Sequence, residues 1–437
     1  MLLNFSFSNY RSFRDSQQFS FEPIAGKKEQ GPVRVAAVYG ANATGKSNFI
    51  EAINFVSFFV RSGYSSGDGQ SRIPITPFLL DSNSPNKESE FSIEFEIYSS
   101  KYESDIKYEY SFGITKSEVT YENLIAYYSQ QPSLLFERIS EDGGQSIKFG
   151  SAFVGPKKQL WKITRDNALF ISVAAAAGCD VIQPVYSALT DGIAYYNAPG
   201  YLAELTAIKK LFLNDKPKAQ MLATLLKFAD IGIDDLDMRQ AEGLTGVKDP
   251  FVDQSEIPED VRRQMSEDFK WSFAYDLYFH HRGLDGGNWF SSAQESEGTK
   301  AALAFFSVAL RSLEQGDLTV IDELDLSLHP TLLRDFVALF SDATTNPNGA
   351  QLIFTTHDVS LMTRTSSIDE VLDRDQIWFV EKDPDGASQL IAAMEYSPRA
   401  SENIGRNYLN GVYVPLPNPS FHQVVAGYMQ EGVEAHG

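Results

Sequence analysis

The chain has 437 residues, 43% of them hydrophobic and 13% aromatic, and a formal net charge of −21 at pH 7. That length allows two or three domains, or one large domain carrying an insertion, and the composition excludes a globally disordered chain. The excess of acid argues against a surface coated for nucleic acid while leaving room for one local basic groove, and a single cysteine, Cys179, excludes an intrachain disulfide or a cysteine-built zinc site.

Residues 2–8 alternate apolar and polar side chains and read as a strand, 9–13 as a turn and 17–22 as a returning strand. Asn9, Arg11, Arg14 and Asp15 interrupt the first twenty residues, so they are no signal peptide. No apolar run reaches the ~18 residues that span a bilayer. With cysteine this scarce, the expectation is a cytoplasmic protein with no membrane partner. An apolar run, 33–39, then predicts a buried strand. It leads into Gly40-Ala-Asn-Ala-Thr-Gly-Lys-Ser47, which fits G-x-x-x-x-G-K-[ST], and 48–60 continues with helical spacing.

That strand–loop–helix context makes the motif a phosphate-binding loop. Gly40 and Gly45 let the backbone curl, so that the N–H groups of the loop through Asn42, Ala43 and Thr44 face an anion. The helix beginning near Lys46 adds its positive dipole end. Lys46 would reach the β- and γ-phosphates of ATP, Ser47 would ligate Mg²⁺ through its hydroxyl, and Asn48 is the next candidate nucleotide-binding residue.

Residues 61–72, rich in Gly and Ser, predict a loop, and 85–90 a turn. From Phe91 the period is two: Phe91, Ile93, Phe95 and Ile97, then Tyr108, Tyr110 and Phe112, then 119–128, with shorter runs at 136–138 and 147–149. This predicts an antiparallel layer beside the P-loop unit. Near Gly155 the pattern turns helical, with apolar residues at three-and-four spacing over 168–177, 201–213 and 219–228. Residues 241–259 predict a loop and 271–281 a strand. The helical stretch is too short for a coiled-coil arm and lacks heptads, so it reads as an insertion.

Glu295-Ser-Glu-Gly-Thr-Lys300 opens a strong helix over 299–313. Ser296 can cap it, and Gly298 leaves backbone N–H groups bare beside Thr299. Residues 318–323 form a short buried strand ending in Asp322, a candidate Mg²⁺ ligand, and Glu323, a candidate general base for the attacking water. Residues 351–358 form the next, and it ends in His357, which could sense the γ-phosphate and orient the water at a shared sheet edge.

Together these residues resemble the ABC-type ATPase heads, at the branch shared with structural-maintenance and recombination-repair ATPases. Ser296, Gly298 and Thr299 take the places of that family's Ser-Gly-Gly-Gln signature, with Glu297 at the first Gly. Leu328-His329-Pro330 resembles the ending of its D-loop, here 324–330. Phe5-Ser-Phe-Ser-Asn-Tyr-Arg-Ser-Phe13 is similar to the branch's opening, which implies that Asn9, Arg11 and Ser12 lie near the nucleotide. Gln130, Gln131 and Gln159 are alternatives for the Q-loop glutamine. Ala229-Asp-Ile-Gly-Ile233, Gln376-Ile-Trp-Phe-Val-Glu-Lys382 and Asn407-Tyr-Leu-Asn-Gly411 narrow the likeness to AAA15-type bacterial ATPases related to the OLD and abortive-infection families. OLD nucleases continue into an acidic TOPRIM domain, which implies here that any nuclease or toxin is a separate protein.

The resemblance implies an α/β fold: an ABC-type P-loop ATPase head, mixed sheet plus antiparallel β layer, with a helical insertion. The expected division is 1–154 for the N-terminal lobe, 155–268 for the insertion, 269–395 for the C-terminal lobe and 396–437 for a tail. The expected activity is slow, switch-like ATP hydrolysis, with Lys46, Glu323 and His357 catalytic and an ATP-sandwich homodimer or larger even-numbered assembly completing each site. The functional expectation is a sensor or scaffold that controls a separate effector in anti-phage defence, with DNA or a phage protein as trigger. The alternative is a DNA-gripping ATPase of repair or chromosome maintenance, for which Lys157, Lys158, Lys162 and Arg165 would supply a small basic patch.

Overall fold

Period-two runs of large apolar side chains build the first sheet. The computed structural model describes residues 1–23, 32–63, 71–141, 144–197, 200–229, 232–241, 263, 266, 269–271, 273–326, 328–363, 371–399, 402–415 and 420–434. Seven antiparallel strands lie in the order Gln17–Ser20, Leu2–Ser8, Ser89–Ser99, Ser104–Ile114, Val119–Tyr127, Ser133–Glu141 and Gly144–Phe149. Phe91 pairs with Phe112, Ile93 with Tyr110 and Phe95 with Tyr108. All six are buried, so these strands present an apolar face to the core.

A second sheet has six strands in the order Ser388–Ala392, Ile377–Lys382, Val35–Tyr39, Gln351–Thr355, Leu318–Ile321 and Ile193–Tyr196. All its pairings are parallel except the first. Parallel strands are covered on both faces and so read as continuous apolar runs. Ala36 and Val38 join a core shared with the antiparallel sheet and the helix Lys46–Ser62. Val35, Ala37 and Tyr39 join a second core with the helices Glu297–Gln315, Pro330–Ser341 and Ile404–Leu409. The P-loop helix is therefore wedged against the antiparallel layer: Phe49 lies 5.5 Å from Phe19, and Phe55 lies 5.1 Å from Phe91, ring to ring.

Five helices follow the antiparallel sheet: Lys157–Ile163, Phe170–Ala176, Gln183–Thr190, Gly200–Asn214 and Lys216–Ala229. The same stretch supplies Ile193–Tyr196, whose four residues pair in register with Leu318–Ile321 at the edge of the central sheet. Four residues are too few to show a period, so the sequence reading passes over this strand. Ile233–Gln240, Tyr275–His281 and Asn288–Ser291 make a third, antiparallel sheet. The strand expected from Trp271 begins only at Tyr275, because residues 273 and 274 are still helical. Most of the predicted loops at 61–72 and 241–259 lies outside the described residues, as does Ser327 of the D-loop. Among the described residues no helix is long and apolar enough to cross a membrane.

Candidate active site

Three adjacent parallel strands end at one edge. The P-loop strand pairs with the His357 strand from Val35–Leu352 to Val38–Thr355, and that strand pairs with the acidic one from Gln351–Leu318 to Phe354–Ile321. Because all three run the same way, Gly40–Ser47, Asp322–Asp325 and His357 emerge together at the carboxyl edge, where ligands of such sheets bind.

The P-loop is held in a shape that only its residue types allow. Gly45 has φ 117°, and a Cβ there would come within 2.5 Å of Ser388 Oγ and 2.7 Å of Ser12 Oγ. A Cβ on Gly40 would meet the Val380 carbonyl oxygen at 2.4 Å. Lys46 is buried, and its Nζ donates to the carbonyls of Gly40 (2.9 Å) and Ala41 (3.1 Å). Burial lowers its pKa, while Glu323, Asp322 and Asp325 oppose that shift, which puts the ammonium in the field of all three acids. Ser47 follows in the first helical turn, half-buried, and Asn42 and Ala43 are exposed at the loop's crest. Thr44 Oγ1 donates to the Ala41 carbonyl at 2.9 Å.

A chain of hydroxyls braces the loop from behind. Asn48 Nδ2 donates to Ser12 Oγ at 2.7 Å, Ser12 Oγ and Ser388 Oγ are 2.8 Å apart, and Ser388 donates to the Thr44 carbonyl. We expect Gly45→Ala to strain the loop by about 1–3 kcal/mol and to displace this brace, so that ATP affinity falls before overall stability does. ATP titration beside a thermal melt checks this. Wild-type affinity in the variant would show that the loop tolerates the Cβ.

The opening turn divides its residues between two tasks. Ser12 touches the loop's brace as described. Asn9, grouped with Arg11 and Ser12 by resemblance, is buried, and its amide donates to the carbonyls of Ser84 (2.9 Å), Lys87 (3.2 Å) and Glu88 (3.1 Å) while accepting from Phe78 N–H at 3.0 Å. Its side chain is fully used in holding that neighbouring segment. Arg11 forms an ion pair with Glu51 on the P-loop helix, and its backbone N–H donates to the Thr76 carbonyl at 2.8 Å.

At the end of the acidic strand, Asp322 N–H donates to the Tyr196 carbonyl at 2.9 Å, which fixes the backbone there. Glu323 has φ 55°, the left-handed region that a non-glycine residue occupies at a cost. Thr355 holds both acids: its Oγ1 donates to Asp322 Oδ1 at 2.6 Å and accepts from Glu323 N–H at 2.7 Å. His357 N–H donates to Asp325 Oδ2 at 3.0 Å. Partial burial first and the Lys46 charge second push the His357 imidazole below its ordinary pKa of 6.5, against Asp325 and Glu323.

The structure thus gathers Lys46, Asp322, Glu323 and His357 into one electrostatic neighbourhood. Thr355, Asp325 and Ser388 belong to it and escaped sequence reasoning, since an isolated Thr, Asp or Ser carries no motif. Ser296, Gly298 and Thr299 stand at the start of the helix Glu297–Gln315. Ser296 Oγ accepts from Thr299 N–H at 3.0 Å as the N-cap. His281 Nε2, on the three-stranded sheet, lies 2.6 Å from Glu295 Oε1 and anchors the segment leading in.

Among the described residues no cluster of three or more His, Cys, Asp or Glu side chains could hold a metal ion by itself. Ser47 and Asp322 are hard oxygen donors that fit Mg²⁺ with nucleotide oxygens completing its shell, since this ion is commonly bound through few protein ligands plus phosphate.

A family model described as "AAA domain, putative AbiEii toxin, Type IV TA system" matches residues 35–171 and 206–363, more than half of the chain. The matched stretches contain the P-loop, the Ser296 cap, the two acids and His357. A comparison with curated proteins finds no match.

Proposed function

The chain belongs to that family of AAA-domain P-loop ATPases, and on this premise we propose that it binds and hydrolyses ATP as an ABC-type head, acting as the sensor or scaffold of a separate effector in anti-phage defence. The observation that carries the reading is the convergence of Lys46, Asp322, Glu323 and His357 beyond three neighbouring parallel strands. The P-loop N–H groups and Lys46 bind the triphosphate. Bound Mg²⁺, held by Ser47 and Asp322, would neutralise charge on the phosphate oxygens. Glu323 takes a proton from the water whose oxygen attacks the γ-phosphorus, and the bond from that phosphorus to the β–γ bridging oxygen breaks to release ADP. His357 can donate a ring N–H to the γ-phosphate.

The family's description refers to a putative toxin. In this chain the chemistry that can be assigned to residues is nucleotide hydrolysis, and we assign the toxic or nucleolytic step to a partner protein. Ser296, Gly298 and Thr299, standing at the N-terminus of the helix Glu297–Gln315, would complete the site of a second copy across a two-fold axis.

Mixing two dead variants tests this arrangement. Ser296→Arg and Lys46→Ala should each abolish hydrolysis alone. Mixed, they regain roughly a quarter to a half of wild-type turnover, because an isologous dimer then contains one intact composite site. A mixture that stays inactive while native mass with ATP remains that of a monomer would remove the sandwich from the proposal. Co-purification of an effector with the wild type in ATP, lost in Lys46→Ala, tests the scaffold role.

A further inference from the structure

We infer that Thr355 is a positioning residue for hydrolysis, setting the metal-side carboxylate of Asp322 and the backbone of the base Glu323 through one hydroxyl. This rests on the ATPase reading above.

The proton bookkeeping at Thr355 has one solution. Glu323 N–H can only donate, so Thr355 Oγ1 accepts from it at 2.7 Å. The hydroxyl proton then goes to Asp322 Oδ1 at 2.6 Å. One oxygen of the carboxylate is thereby fixed, and Asp322 so held would be available to a hydrated Mg²⁺. The Thr355 side chain is fully buried, and β-branching restricts it to few rotamers, so it is a rigid post rather than an adaptable contact.

Two further bonds extend the same seam between the acidic segment and the His357 strand. Leu324 N–H donates to the Thr355 carbonyl at 3.1 Å, and His357 N–H donates to Asp325 Oδ2 at 3.0 Å. The left-handed Glu323, with φ 55°, is thus held from both sides by residue 355. Strain of that kind persists only where the surroundings over-determine it. Valine in place of Thr355 would keep the volume, leave the half-buried Glu323 N–H without its acceptor, and free Asp322 to rotate.

The experiment compares Thr355→Val and Thr355→Ser with the wild type. We measure ATP affinity in EDTA and at a series of Mg²⁺ concentrations, steady-state kcat, and hydrogen exchange of the nucleotide-free peptide carrying Glu323. Thr355→Val should keep ATP affinity in EDTA within about two-fold. It should also lose the Mg²⁺-dependent gain in affinity and on the order of ten-fold or more in kcat, the usual effect of removing an outer partner of a metal ligand. Exchange at Glu323 should quicken, and Thr355→Ser should restore most of all three. Should Thr355→Val not fold, Thr355→Ala carries the same comparison with Ser. The inference is overturned if the variant lacking the hydroxyl matches an active wild type in kcat and Mg²⁺ midpoint, or if Ser is as impaired as Val. A wild type that neither binds nor hydrolyses ATP with Mg²⁺ overturns the ATPase reading instead.

Discussion

Glu323→Gln is expected to lower ATP turnover by about 10²–10⁴-fold, the range that a positioned general base contributes, while leaving ATP bound. The change is close to isosteric and keeps the backbone bond from Glu323 N–H to Thr355 Oγ1, so the left-handed turn at φ 55° is retained. What is lost is the ability to accept the proton of the attacking water, because an amide does not take one up near neutral pH. The Coulombic support that Glu323 gives Lys46 is lost as well, but Asp322 and Asp325 continue to supply it. Phosphate release in a single turnover, with ATP retention through gel filtration, measures both halves. Turnover at the wild-type rate would exclude Glu323 as the base.

Arg138→Met is expected to cost about 3–5 kcal/mol of stability, the usual penalty for stripping a buried charge of its partner. Arg138 and Glu122 are both fully buried, with Nη1 3.5 Å from Glu122 Oε2. Glu122 also accepts from the N–H groups of Phe170 (2.6 Å) and Ile171 (2.9 Å), at the start of the helix Phe170–Ala176. Arg138 donates to the carbonyls of Ala168 (2.6 Å), Arg165 (3.0 Å) and Asp166 (3.2 Å). The pair is therefore the rivet between the antiparallel sheet and the segment that follows it, and losing Arg138 takes the cation from the buried Glu122 and one donor from each of three carbonyls, of which Asp166 keeps Val119 N–H and Arg165 keeps Ala168 N–H. A total stability of ~5–15 kcal/mol makes that a large fraction.

Burial raises the Glu122 carboxyl above its ordinary 4.5, with Arg138 the leading opposing influence. A carboxyl whose folded pKa is raised contributes stability at acid pH and loses it as pH rises through the folded value. The deficit of Arg138→Met should therefore be smallest near pH 4.5 and grow towards neutrality, and Glu122→Gln in the same chain should recover part of it. Denaturant titrations at several pH values decide this. A deficit below about 1 kcal/mol, or one independent of pH, would mean that the pair is not the rivet.

The sequence by itself determined the parts whose chemistry is written in contiguous residues. Gly40–Ser47 carries its own flanking strand and helix, and the acidic and His357 strands are apolar runs with a polar end. Phe91 to Phe112 shows its sheet because period two survives in the letters. The family match over 35–171 and 206–363 agrees with a P-loop ATPase at that level. Tertiary structure alone decided what holds those parts in register. Thr355 lies 33 residues from Asp322, and Ser388 lies 344 from Thr44. Neither has a local pattern, because a hydroxyl acquires its role only from the neighbour that folding brings to it. Asn9 shows the same limit, since a polar turn residue beside a P-loop looks the same in sequence whether its amide faces a nucleotide or, as here, the Ser84, Lys87 and Glu88 carbonyls. Ile193–Tyr196 became a strand only because the exposed edge of Leu318–Ile321 needed its hydrogen bonds met.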